Sequence, residues 1–296
     1  MEDVAAVFLN GLKSVKNNKV LFVPAMILMA LTMIAVVVMI AAPFLLLYLE
    51  IHWVAQIVFP CLCLLILILL TAYITAGQYG MAKEAASTGK TDYGHFWSYA
   101  KRFFGRVFMA YAVDIILVVG ITLILYIPAM FLMFNTVLAD PMYVFIGIFA
   151  LMIAVMLISI FSILYYLFFF FVRYNIVVDD LSVIESYKKS FALLKEKPLQ
   201  VLLFIFIIYI ITTVFSTIFY VILMMLSFSF FAFALISEFI SPVLGAIFGI
   251  IVILLAVILT IIFGAILTTL IGVWVTRFYM AITEKTLYAE EKLTGS

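Results

Sequence analysis

Six apolar runs, parted by short polar stretches, set the rhythm of this chain: residues 20–49, 54–82, 107–134, 142–172, 199–236 and 243–276. A helix crosses the roughly 30 Å of bilayer hydrocarbon with about 20 apolar residues. Each run therefore predicts a transmembrane helix, and the chain an all-α, polytopic integral membrane protein. Several runs exceed the needed length, which predicts tilting, kinking or protrusion. The end of the fifth and longest, SFSFFAFALISEF, is expected to turn along the outer interface. Pro24, Pro43, Pro60 and Pro128 fall inside runs and are expected to bend them. Pro141 and Pro242 stand at or beside helix starts, where a missing N–H costs nothing.

A second pattern precedes each pair of runs: a short amphipathic segment. In DVAAVFLNGLKSVKNN, Val4, Phe8, Leu12 and Val15 form an apolar stripe, with Lys13 and Lys16 opposite. In DYGHFWSYAKRFF, Phe96, Tyr99 and Phe103 stand against Lys101 and Arg102. In LSVIESYKKSFALLKEK, Ile184, Tyr187, Phe191 and Leu194 oppose Lys188, Lys189 and Lys195. Ser182 and Glu185 have capping-box spacing. The segments begin at Asp3, Asp92 and Leu181, 89 residues apart, and end at Asn17-Asn18, Gly105 and Pro198, each read as a helix breaker. The exits from the pairs also correspond: Gln78-Tyr79, Arg173-Tyr174 and Arg277-Phe278. The pattern predicts one membrane domain over 1–296 with three helix-hairpin repeats, at approximately 1–90, 91–180 and 181–296. A lysine-bearing amphipathic segment just before a span predicts a helix lying in the headgroup plane, its cations on anionic lipid. The plainer alternative is an elbow packed under the bundle.

Charge sets the orientation. All 16 Lys and Arg fall before the first run, in the two long connections or after the sixth run. The opposite side offers Glu50, Asp140 and Glu238 without a Lys or Arg. The positive-inside rule then predicts a cell-membrane protein with both termini in the cytoplasm. The acidic opening and long first run do not fit a cleavable signal. Composition agrees: 69% of residues are hydrophobic and 10% charged, whereas soluble domains are about half apolar and a quarter charged. A net charge of +1 provides no basic field for nucleic acid. Cys61 and Cys63 exclude a disulfide framework and are expected to be buried free thiols.

The 2+2+2 plan differs from that of mitochondrial solute carriers, whose Pro-x-Asp/Glu-x-x-Lys/Arg motif follows none of the seven prolines here. The aromatic, Lys-rich, Asn/Pro and long-span succession in FLNGLKSVKNNKVLFVP and SYKKSFALLKEKPLQVLLF resembles a group of uncharacterised prokaryotic, mostly archaeal, six-span proteins. These are similar to the membrane domain of bacterial glycerophosphodiester phosphodiesterases. The resemblance covers nearly the whole chain and implies the six-span fold. It does not imply hydrolysis, because the catalytic barrel is missing, and no site residue carries over.

Motifs for chemistry are sparse. The chain has no GxxxxGK[ST], HExxH or GxSxG, and nothing implies a cofactor or metal. His52 and His95 are expected on opposite faces of the membrane. Gly245 and Gly249 have the spacing that lets helices approach closely in lipid. Thr212, Thr213, Ser216 and Thr217 form a stripe that either bonds its own helix carbonyls or lines a small aqueous path.

Asp114 is the principal candidate site. It is a carboxylate within a span, seven residues beyond Val107 and so roughly 10 Å along the axis. Arg173 and Arg277 return to the same face, and either is a candidate ion-pair partner. Two function classes follow. The first is a non-catalytic, lipid-associated scaffold or accessory module, whose partners are anionic lipid, further membrane subunits or a second copy. The alternative is a small-solute or ion transporter or channel, with Asp114 in a cytosol-facing cavity. A lipid-processing enzyme would need a polar constellation that the sequence does not supply. The topology is open to direct test. Single cysteines introduced at Lys90, Lys189 and Lys292 should be labelled only from the cytosol, and those at Asn135 and Ser237 only from outside; outside labelling at Lys189 would overturn the six-span plan.

Overall fold

The computed structural model describes residues 4–48, 53–139, 144–240 and 242–285. Asp3, Glu50, His52, Asp140, Pro141, Lys292 and the side chain of Glu238 lie outside the described residues. Helices make up the described chain: α1 (Val4–Asn17), α2 (Phe22–Tyr48), α3 (Trp53–Thr88), α4 (Tyr93–Ala139), α5 (Val144–Phe169), α6 (Val172–Asp179), α7 (Val183–Glu196), α8 (Pro198–Ile240) and α9 (Pro242–Ile282). A short 3-10 turn, Lys19–Leu21, joins α1 to α2. Among the described residues six stretches are long and apolar enough to cross a membrane: Lys19–Ala42, Val58–Thr88, Tyr93–Phe134, Val144–Asp179, Pro198–Phe233 and Val243–Ile282.

Two compact units divide the chain. One comprises Met1–Phe104 with Leu203–Ser296, the other Gly105–Leu202. Their boundaries fall inside α4 and α8. Turns stand near residues 90 and 180, at Gly89 (φ 79°) and Asp180 (φ 58°).

The structure corrects several expectations. Gly105 does not end a helix; α4 runs through it from Tyr93. A lone glycine raises the cost of a helix by about 1 kcal/mol without removing a backbone donor, so the flanking ladder carries across. SFSFFAFALISEF does not turn along an interface either, because α8 continues to Ile240. Pro60 and Pro128 do lie inside helices, α3 and α4, as their places in the apolar runs predicted. Cys61 is exposed on α3 instead of buried, and both thiols are free.

The fourth apolar run breaks at Phe170–Phe171, between α5 and α6, with no Gly or Pro to mark the place. The Phe171 N–H donates to Ser190 Oγ at 3.2 Å, and Ser190 Oγ donates to the Phe168 carbonyl at 2.9 Å. A hydroxyl from α7 thus takes over where the helical ladder opens, as an apolar setting requires of any backbone group.

α1 and α7 bury faces rich in small residues, with Val15 the buried member of the α1 stripe, whereas the start of α4 buries Phe96 and Phe103 of its own stripe. In α1 the buried positions include Val7, Gly11 and Ser14, while Leu12 is exposed. In α7 they are Ser186, Ser190 and Leu193, and Ile184 and Phe191 are exposed. At the start of α4 they are Phe96, Ala100 and Phe103. Where glycines stand in these contacts they permit close approach. A Cβ on Gly11 would lie 2.4 Å from the Trp274 ring, and one on Gly80 would lie 2.1 Å from Tyr99 Cγ.

This packing separates two glycines of like composition. Gly80→Ala forces its methyl into Tyr99 and should lower stability by about 1–3 kcal/mol. Gly105→Ala meets nothing within 4 Å and should hold or raise the melting temperature, since Ala favours helix by about 1 kcal/mol. Thermal unfolding of both variants in detergent checks the contrast. Equal effects would count against the close approach at Gly80.

Candidate functional site: an intramembrane charge cluster

Within the unit formed by Gly105–Leu202, four helices converge on Asp114. The carboxylate comes from α4. Arg173 of α6 donates its Nη2 to Asp114 Oδ2. Tyr165 of α5 and Tyr187 of α7 both donate their hydroxyls to Oδ1, at 2.5 Å each. Arg173 also stacks on the Tyr111 ring, its guanidinium carbon 4.2 Å from the centroid. Asp114 retains 19% side-chain exposure and Arg173 33%. A carboxylate in an apolar setting is tolerated when charge and hydrogen bonds saturate it. Here three donors from three helices occupy both oxygens. Burial, then the bond to Asp114, pushes the Tyr187 phenol up, so its hydroxyl keeps its proton.

Arg277, the other arginine offered by the sequence, belongs to the other unit. It is fully buried there and donates to Ser14 Oγ at 2.9 Å. The arginine against Asp114 is Arg173. Sequence reasoning missed Tyr165, Tyr187 and Tyr111. The signal available for Tyr187 was its place on the amphipathic stripe, since a half-buried phenol seeks a polar partner.

Lys189, expected at lipid headgroups, pairs instead with Asp179, whose side chain is 6% exposed. Its position beside the buried seam of α7 turns it inward. Arg106 closes the end of α6: it donates to Asp180 Oδ1 at 2.6 Å and to the carbonyls of Asp180 and Leu181. Ser182 and Glu185 form a capping box at the start of α7, and the Ser182 hydrogen bonds hold the Glu185 carboxyl below its ordinary range. Lys13, Lys16, Lys101, Arg102, Lys188 and Lys195 are exposed.

Of the remaining candidates, Gly249, Thr212 and His95 make packing, backbone or capping contacts. Gly249 is buried against the Phe230 ring, and Gly245 beside it is half-buried. Thr212 donates to the Ile208 carbonyl of its own helix. The His95 N–H donates to Asp92 Oδ1 at 3.0 Å, the bond that most lowers the Asp92 carboxyl from its ordinary range. Among the described residues no group of His, Cys, Asp and Glu is arranged to hold a metal.

Six membrane-length apolar helices define a multi-pass membrane protein. The chain belongs to the family DUF7847, a domain of unknown function, which it matches over residues 3–282. No curated protein and no solved structure matches it.

The pairing yields a thermodynamic cycle. Asp114→Asn and Arg173→Gln should each cost on the order of 1–3 kcal/mol, between the limits for exposed and buried pairs. The double variant should recover part of that loss, because neither charge is then stranded. Melting temperatures in detergent measure all four corners. Strictly additive losses would remove the coupling.

Proposed function

We propose that this protein is a non-catalytic, lipid-associated scaffold or accessory module of the membrane. In this reading the chain carries three helix-hairpin repeats. Each has a basic amphipathic helix lying at the headgroups on the cytoplasmic side, and the partner is anionic phospholipid. One observation carries it. On the side of each short helix turned away from the protein, apolar or aromatic residues stand among exposed cations. In α1, Leu9 and Leu12 accompany Lys13 and Lys16. In α7, Ile184 and Phe191 accompany Lys188 and Lys195. At the start of α4, Tyr93 and Trp97 accompany Lys101 and Arg102. Facing only water, Ile184 at 70% exposure would waste its burial. Facing the headgroup boundary, it enters apolar material while each lysine contributes about 1 kcal/mol against anionic lipid.

The saturated carboxylate supports this reading over transport. Asp114 holds helices together with both oxygens engaged. A transporter would instead carry a pH-dependent flux in proteoliposomes that Asp114→Asn abolishes with the fold intact.

Replacing Lys13, Lys16, Lys188 and Lys195 together by Gln should reduce anionic phospholipid retained in native mass spectrometry, with zwitterionic lipid unchanged. Spin-labelled lipid should quench Trp97 at shallow depth. An unchanged lipid profile with Trp97 unquenched would defeat the proposal in favour of the plain elbow.

A further inference from the structure

Three contacts between a hairpin exit and a short helix use the same place on the short helix, with the exit-side ring five, four and three residues before Gln78, Arg173 and Arg277. The first is α3 on the start of α4, where Tyr73 lies 6.0 Å from Trp97. The second is α5–α6 on α7, where Phe169 lies 5.0 Å from Tyr187. The third is α9 on α1, where Trp274 lies 5.1 Å from Phe8. Trp97, Tyr187 and Phe8 hold one place: each directly follows the first member of a buried triplet spaced by four and then three residues. The triplets are Phe96, Ala100 and Phe103; Ser186, Ser190 and Leu193; and Val7, Gly11 and Ser14. Each contact also lies within a single compact unit.

Polar bonds of the first two contacts fall in register. Tyr99 donates to Glu84 Oε1 at 2.5 Å, and Lys189 pairs with Asp179. Tyr99 and Lys189 each precede the second triplet member, and Glu84 and Asp179 each lie six residues beyond the exit residues Gln78 and Arg173. In the third contact the exit residue itself makes the bond, Arg277 to Ser14, the last of its triplet. The Trp274 Nε1–H adds a bond to the Phe8 carbonyl at 3.0 Å.

We propose that each hairpin exit is a binding seat for an amphipathic helix, one seat used three times, and that α1 is the occupant of the third seat, on α9. The first two seats take the helix that follows them in the chain. The third takes the helix from the opposite end of the sequence, so the order of seats and occupants is cyclic. Alternation of chemistry between seats leaves the place on the short helix untouched: a glycine under a ring at Gly80 and Gly11, a hydroxyl in a ladder gap at Ser190. This inference stands apart from the lipid reading, because it concerns the contacts each short helix makes with its hairpin exit and not the exposed cations.

Hydrogen exchange read by mass spectrometry on the full chain tests it. Tyr73→Ala, Phe169→Ala and Trp274→Ala should each speed exchange about tenfold or more, in the start of α4, in α7 and in α1 respectively. Should Trp274→Ala fail to fold, Trp274→Phe keeps a ring and removes only the indole N–H. It should then speed exchange in α1 by roughly fivefold and leave α7 unchanged. Unaltered exchange in α1 for either Trp274 variant, or a loss of protection spread evenly over the chain, would overturn the proposal.

Discussion

Hydrocarbon offers no partner to a polar group, so every donor and acceptor carried into it must be answered by the chain itself. Much of this structure follows from that rule. It makes long helices the default, because a helix satisfies its own backbone. It also decides what happens where a helix stops being regular. At Phe170–Phe171 the ladder opens and Ser190 supplies both a donor and an acceptor. At Asp114 a charge enters a span and draws an arginine and two phenols from three other helices. At the end of α1, Asn18 answers its own helix and the α3–α4 turn together, donating to the carbonyls of Ser14 and Gly89 and accepting from the Thr91 N–H.

These demands put the polar residues where hairpins end. Thr75, Gln78, Asn175, Thr269, Thr276 and Arg277 are all buried and lie at or near an exit. Apolar surface dominates elsewhere, with large side chains turned outward along α5, α8 and α9. Packing among such helices gains little from the hydrophobic effect, since the surroundings are as apolar as the neighbour. Specific fit has to come from close approach and hydrogen bonding. The glycines and serines of the short helices supply the first, and Ser190, Asn175 and Arg277 the second.

The same physics explains what was legible in the sequence. Apolar runs of more than about 20 residues announce helices whatever their neighbours do, and Asp114 announces itself because a charge there must be explained. One habit of reading misled. Treating glycine as a stop placed a break at Gly105, where the ladder simply continues. Tyr165 and Tyr187 stayed hidden for another reason. With 17% aromatic residues in the chain, a phenol that anchors a carboxylate looks like any other ring until the fold brings the two together.

The bond from Trp274 to Phe8 joins residues 266 apart. A ribosome adding roughly 5–20 residues per second reaches Trp274 about 13–53 s after Phe8. During that interval α1 exists with its seat not yet made, its Gly11 and Ser14 face uncovered. Contacts this distant in sequence are slow to close, so α1 is the last of the short helices to settle. The start of α4 and α7 meet their seats as soon as the preceding hairpin is built. The first of the three short helices to be made is thus the last to be seated.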